Sequence, residues 1–380
     1  MKLINNPFVT YGYKGAEYFC DRQEETRKVM MGLNNERNIT LIAPRRIGKT
    51  GLIHHVFAQI KEQQPDVCCF YIDIMATKSL EQFLQLLAQN ILGKLDSPTQ
   101  TALRKVSEFF SNFRPTVTFD AQTGMPTFSL DIAVHQEEQS LRRIFEYLQQ
   151  SGKRCYIAID EFQQITNYSG ANTEALLRSY IQFMPNVYFI FAGSQQHMMN
   201  EMFISAKRPF FQSSQIINLG EIDETAYYEF SARLFERQGM SLLAPVFHYM
   251  YEKLDGQTWY LQAIMNRIYA NHAVDVISQA EVDQAIEELI DENETAFENY
   301  YSSLTNNQCA LLLAIARERQ VKAPMANEFK KKYRLPALSS IKTALTALTD
   351  QQLIYQYHGS YIVYDRFFGM WLRQRVTVYT

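Results

Sequence analysis

The chain has 380 residues, an apolar fraction of 47% and a formal net charge of −3. That length exceeds one ordinary compact domain and that apolar content supports packed cores, so two or three globular units are expected and a disordered chain is excluded. The five cysteines, Cys20, Cys68, Cys69, Cys155 and Cys309, show neither CxxC spacing nor an even count, which argues against a disulfide framework or zinc site and for reduced, mostly buried thiols.

Met1 to Thr10 lack the basic start, apolar stretch and cleavage site of a secretory signal, and no apolar run is long enough to span a bilayer. The expected compartment is therefore cytoplasmic, with no membrane partner. Asn38 to Ala43 is a short apolar run with β-branched residues, which predicts a buried strand. A helix is expected from Gly51, with Leu52, Ile53, Val56, Phe57 and Ile60 on one face. Further buried strands are expected at Val67 to Ile74, Cys155 to Ile159, Val187 to Ala192 and Ile216 to Leu219, separated by segments of helical pattern. This alternation predicts a three-layer α/β core, a mostly parallel sheet with helices on both faces. An insertion at about 114–135 interrupts it and reads as a β-hairpin turning near Gly124, with no legible role.

The expected boundaries are a core at 1–220, an α-helical unit at 221–302 and a winged-helix unit at 303–380. The helical unit starts at Asp223, with Tyr227, Phe230 and Leu234 on one stripe. The last unit shows helices at Gln308 to Glu318, Met325 to Tyr333 and Leu338 to Asp350, then a hairpin, Leu353 to Tyr357 and Tyr361 to Tyr364, around His358-Gly359. Charge divides unevenly. Residues 221–300 hold 4 Lys+Arg against 16 Asp+Glu, giving −12, and residues 301–380 hold 11 against 4, giving +7. A basic terminal unit either attracts phosphate backbones or docks on its acidic neighbour, and charge alone does not choose.

Ala43-Pro44-Arg45-Arg46-Ile47-Gly48-Lys49-Thr50 matches the GxxxxGK[ST] phosphate loop except that alanine stands at the first glycine. In such a loop, consecutive backbone N–H groups and the positive end of the next helix, beginning at Gly51, face phosphate oxygens. Gly48 lets the backbone approach, Lys49 supplies charge at the β- and γ-phosphates, and Thr50 offers a hydroxyl to Mg2+. The strand Cys155-Tyr-Ile-Ala-Ile then ends in Asp160-Glu161. Asp160 is placed to hold Mg2+ and Glu161 to polarise the attacking water as general base. No guanine-reading Asn-Lys-x-Asp motif occurs in the sequence.

The paired carboxylates resemble those of the additional-strand glutamate division of P-loop NTPases. With these motifs the chain resembles an archaeal-type ATPase of the signal-transduction group (STAND), related to AAA+ and origin-recognition ATPases. Phe19-Cys-Asp-Arg22-Gln-Glu-Glu25 resembles the family's arginine-glutamate box, Ile159-Asp-Glu-Phe-Gln163 its acidic motif, Ala192-Gly-Ser194 its sensor strand and Asp365 to Leu372 its closing segment. The resemblance implies ATP as nucleotide, Phe19 and Arg22 lining base and ribose, and Ser194 sensing the γ-phosphate. It also implies that Arg208 reaches a neighbouring subunit's ATP in a homo-oligomer. An ordinary strand cap at Ser194 and a surface ion pair at Lys207 or Arg208 are the plainer alternatives, and Arg45 or Arg46 could act in cis. Gly256 to Gln262 resembles the family's Gly-x-Pro lid motif with Thr258 in place of proline, and Trp259, Tyr260 and Leu261 are either lid core or base contacts. His54 and His55 are expected on a packed or solvated face.

Lys330, Lys331, Lys332 and Arg334, with Ser339, Ser340, Lys342 and Thr343 on the following helix, would face double-stranded DNA if the winged helix binds it. Phe367, Phe368, Met370 and Trp371 are the expected core of that unit. Three functions follow: a regulatory ATPase switched by ATP and ADP and read by a protein partner or DNA, a DNA-handling motor or loader, and a nucleotide-stabilised binding scaffold.

Overall fold

The computed structural model describes residues 5–92, 95, 116–119, 126–129, 136–169, 172–272, 274–357 and 359–376. The chain divides into two compact units, Val9–Tyr227 with Gln257–Trp259, and Met1–Phe8 with Tyr228–Gly256 and Tyr260–Thr380.

In the first unit α1 (Gln23–Asn34), β1 (Ile39–Ile42), α2 (Lys49–Gln63), β2 (Cys68–Asp73) and α3 (Leu80–Ile91) come first. After the short strands β3 (Thr116–Phe119) and β4 (Pro126–Ser129) follow α4 (Glu137–Gln150), β5 (Cys155–Asp160), α5 (Thr173–Ile181), β6 (Val187–Gly193), α6 (Gln196–Ile204) and β7 (Gln215–Asn218). The sheet has the order β2-β5-β6-β1-β7, with every pairing parallel. All residues of β1, β5 and β6 are buried, which is why these strands read as continuous apolar runs rather than alternating ones. Phe189 and Phe191 of β6 enter one core, with Phe83, Leu84 and Ile144, while Tyr188, Ile190 and Ala192 enter the other, with Val29, Leu52 and Val56. The strand's two-residue period thus feeds both helical layers. β3 and β4 pair antiparallel as the hairpin reading expects; its turn near Gly124 lies outside the described residues.

Parallel pairing brings the strand C-termini to one edge. Ile42 is in register with Gly193, Ile159 with Phe191, and Asp73 with Asp160. The segments following β1, β5 and β6 therefore open at the same side, the usual place for a ligand in an open α/β sheet.

The chain enters the second unit within α7 (Glu224–Glu236), whose start is fixed by Asp223 accepting from the Ala226 amide at 3.0 Å. β8 (Ser241–Leu242), α8 (Ala244–Lys253), α9 (Thr258–Asn271), β9 (Val276–Ile277) and α10 (Gln279–Ser302) follow. The parallel β8–β9 pair lies in a stretch expected to be wholly helical. Each strand is two residues long and buries one side chain, Leu242 or Ile277, so neither shows a periodicity that sequence could register.

The winged helix consists of α11 (Asn306–Glu318), α12 (Asn327–Lys332), α13 (Leu338–Asp350), the antiparallel pair β10 (Ile354–Tyr357) and β11 (Ser360–Val363), and α14 (Arg366–Arg375). A bridge between Val321 and Tyr361 extends the small sheet. His358 lies outside the described residues, and Gly359 adopts φ 76°, the left-handed conformation a two-residue turn requires. Phe367, Phe368, Met370 and Trp371 are buried, as expected. Arg375 forms ion pairs with Glu287, Asp291 and Glu294 of α10, and Trp371 Nε1 donates to Glu294 at 3.3 Å, so part of the basic segment does dock on its acidic neighbour. Among the described residues no helix is long and apolar enough to cross a membrane.

Candidate functional site

The β1–α2 segment forms a tight loop whose conformation explains its residues. Gly48 sits at φ 98° as the cap of α2, in a region costly for any side chain, whereas Ala43 is outside the positive-φ set and is fully buried at the end of β1. The first loop position thus needs no glycine, which accounts for the motif's one departure. Pro44 and Ile47 are buried, and Arg46 holds a left-handed φ of 68°. That strained residue is braced: the Trp259 amide donates to the Arg46 carbonyl at 3.0 Å, and the Arg46 guanidinium stacks 4.5 Å from the Trp259 ring centroid. Thr258 Oγ1 donates to the Ile47 carbonyl at 3.2 Å, a bond proline could not make. These bonds take up the Arg46 and Ile47 carbonyls of the loop, while the Ala43 amide donates to the Gly193 carbonyl at 3.3 Å.

Opposite the loop stand the carboxylates. Lys49 Nζ lies 2.9 Å from Asp160 Oδ1 and 3.2 Å from Glu161 Oε1, all three groups being largely buried. Thr50 Oγ1 and the Tyr71 hydroxyl each donate to Asp160 Oδ2 at 2.8 Å. Glu161 Oε2 accepts from Ser194 Oγ at 2.7 Å and from Gln163 Nε2 at 2.6 Å. Burial raises the pKa of both carboxyls, but the charge of Lys49 and these hydrogen bonds outweigh it, so both stay ionised and titrate below their usual range. Glu161 itself sits at φ 56°, the cap of a short 3-10 turn, Phe162–Asn167, which points its side chain back toward Lys49. A threonine hydroxyl beside an ionised carboxylate is a hard oxygen donor set, and it suits Mg2+.

Sequence reasoning missed two of these side chains. Tyr71 reaches Asp160 because β2 pairs with β5, a neighbour 89 residues away in sequence. Burial and the Asp160 charge push its hydroxyl's pKa up, so it remains a donor. Gln163 lay within the quoted acidic motif, but its function depends on the 3-10 turn that folds it back onto Glu161.

The flanking residues fall around this centre. Phe19 lies over the start of α2, where a Cβ on Gly51 would meet its ring at 3.4 Å. It also stacks on His55, 4.3 Å between centroids, and His55 is further held by Tyr13 and Gln59, a packed histidine as expected. His54 rests against Tyr71 at 4.6 Å, and burial pushes its pKa down. The buried Arg22 donates to the Ile47 carbonyl at 3.2 Å and the Gly220 carbonyl at 2.6 Å and pairs with Glu25 at 2.9 Å, so it braces the phosphate loop directly. Arg45 Nη2 approaches Met75 Sδ at 3.6 Å. Arg208 is paired within the chain to Glu174 and, at 2.9 Å, to Glu201, the plainer of the arrangements expected for it.

Residues 19–264 match the family model described as an ATPase domain predominantly from Archaea, and residues 295–374 match a probable winged helix domain. The Walker-type ATPase paby2304 of Pyrococcus abyssi is similar in structure at TM-score 0.64 and 18% identity, over 97% of this chain and 99% of that one. The Aeropyrum pernix ORC2 protein in its ADPNP-ADP complexes is similar at TM-score 0.60 and 14% identity, over 97% and 95%. The Aeropyrum pernix ORC1 protein in complex with DNA is similar at TM-score 0.53 and 10% identity, over 93% and 92%. At these identities the likeness speaks to the fold. No curated protein matches the sequence. With a phosphate loop, paired carboxylates and Ser194 at one sheet edge, and with a family model covering most of its length, the chain belongs to the ATPase-domain family found predominantly in Archaea.

Proposed function

We propose that this protein is a cytoplasmic ATP-binding and ATP-hydrolysing switch, with a core at 1–220, a helical lid at 221–302 and a winged helix at 303–380 that passes the nucleotide state to a partner. The observation that carries the reading is the ion pairing of Lys49 with Asp160 and Glu161. A buried lysine whose ion-pair partners among the described residues are the two carboxylates of the acidic motif is the resting state of a phosphate site: when ATP arrives its β- and γ-phosphates become the counter-charge of Lys49. The loop of residues 43–51 cradles the phosphates through the backbone N–H groups that follow Pro44, since the Ala43 amide is bonded to the Gly193 carbonyl, and Phe19 lies toward the base. Thr50 and Asp160 would hold Mg2+, which supplies charge neutralisation at the phosphates. Glu161, freed from Lys49 but still oriented by Ser194 and Gln163, accepts the proton of the attacking water.

The test is ATP turnover and Mg·ATP binding by wild type and Glu161→Gln. Turnover should fall by about two to four orders of magnitude on loss of the base, with ATP still bound; undiminished hydrolysis in the variant would remove Glu161 from the mechanism. A scaffold with negligible hydrolysis predicts no turnover in either protein.

A second reading, binding of double-stranded DNA, is supported by the face that α13 leaves exposed. Ser339, Lys342, Thr343 and Thr346 are solvent-exposed while Ile341, Ala344, Leu345 and Leu348 are buried, so the helix presents a short polar and basic stripe. The similar Aeropyrum ORC1 structure is of a complex with DNA. Duplex binding that weakens steeply with salt and is lost in Lys342→Glu supports this reading; salt-independent binding, or none, counts against it.

A further inference from the structure

We propose that a cavity in the second unit, bounded by the ends of α8 and α11 and by α14, binds a phosphoryl oxyanion through Arg319, Arg366 and Arg373. This site is separate from the phosphate loop and does not rest on the ATPase reading. The enclosed space is about 20 Å3, room for a single phosphoryl oxygen with the rest of the ligand outside it, and Lys253, Asp255 and Asp365 complete its charged lining.

The charges do not balance. Asp255 pairs with Arg366 at 3.0 Å, Asp365 caps α14 by accepting from the Phe367 and Phe368 amides, and Lys253 is paired with Asp283. Among the described residues neither Arg319 nor Arg373 has a carboxylate within ion-pair distance. The hydrogen bond found for Arg373 runs from Nη1 to the Ala316 carbonyl at 3.1 Å, one of the five N–H groups that a guanidinium offers. Burial, then the charges of Arg319 and Arg366 with Asp255 opposing, push the Arg373 pKa down to about 10. A guanidinium that keeps its proton against burial and two like charges is stabilised by any anion that enters.

Capping the last turn of α11 explains the bond to Ala316, and the carbonyl end of that helix weighs against an anion. It does not explain why Arg319 and Arg366 line the same cavity. Guanidinium forks suit the several oxygens of a phosphoryl group. A nucleic-acid backbone and a free phosphoryl compound share this chemistry.

Pyrophosphate binding to the full-length protein tests the site by titration calorimetry at constant ionic strength, in a Lys49→Ala background that weakens the phosphate loop. Saturable binding is expected to persist there and to weaken about tenfold in Arg319→Ala. Arg319 is exposed, so its loss leaves the fold intact; Arg373→Gln should weaken binding further. A short duplex that displaces the pyrophosphate identifies a nucleic-acid backbone as the source, and a duplex that does not identifies a free phosphoryl ligand. Absence of saturable binding in the Lys49→Ala background, or equal affinity in Arg319→Ala, overturns the proposal.

Discussion

At the residue scale the site depends on a few polar contacts that hold strained backbone in place. Arg46 and Glu161 both adopt left-handed conformations, and each is fixed by hydrogen bonds from nearby side chains or backbone. Thr258→Val removes the bond to the Ile47 carbonyl while keeping the side chain's shape, and we expect a stability loss of about 1 kcal/mol. Denaturant unfolding measures it, and a midpoint equal to wild type would show that Thr258 does not brace the loop. The carboxylates make a pH prediction. Asp160 and Glu161 titrate below their ordinary values of 3.8 and 4.5, so their stabilisation is fully present above those values and is lost as pH falls through the lower folded ones. Wild type should therefore lose stability between about pH 5 and pH 3 more steeply than Glu161→Gln, in which one of these carboxyls is gone. Legibility at this scale followed sequence distance. The phosphate loop was readable because eight consecutive residues, Ala43 to Thr50, carry it. Tyr71 was not, because only the β2–β5 pairing brings it to Asp160, and neither was the bracing role of Arg22, whose acceptors at Ile47 and Gly220 lie far along the chain.

At the scale of elements, strand ends and helix faces do the positioning. The fully buried strands β1, β5 and β6 were legible as apolar runs, and their parallel pairing delivers the loop, the Asp160-Glu161 pair and Ser194 to one edge. The packing of α14 was also readable, since its aromatic residues recur at helical spacing. Phe368 and Trp371 are stacked with centroids 5.9 Å apart, and Phe297 of α10 lies 5.3 Å from Phe368. Trp371→Ala should cost about 3–5 kcal/mol, the range for deleting a large buried aromatic. Arg375→Ala, which removes exposed ion pairs on the same helix, should cost no more than about 1 kcal/mol. Thermal unfolding of both variants checks the contrast, and equal losses would mean that charge rather than aromatic burial holds α14. The β8–β9 bridge escaped the sequence because two residues carry no period.

At the scale of the whole molecule, the question is how nucleotide state leaves the site. Thr258 and Trp259 contact the loop carbonyls and also begin α9, and the proposed switch would pass a change in the loop along the chain through these two residues. Assembly sets a second question. If Arg208 acts on a neighbouring subunit's ATP it must leave Glu174, a largely buried carboxylate, without its partner. The motor reading therefore predicts oligomers that form only with Mg·ATP and are abolished by Arg208→Ala; a strict monomer by light scattering under those conditions leaves Arg208 a structural residue. In the proposed switch Asp160 and Glu161 hold Lys49 until phosphates replace them. Equilibrium binding of Mg·ATP to wild type and Glu161→Gln tests it most directly. Neutralising Glu161 removes one competitor for Lys49, so the variant should bind ATP tighter, by about tenfold or roughly 1.4 kcal/mol. Unchanged or weaker affinity in the variant would show that Glu161 does not compete with the phosphates for Lys49.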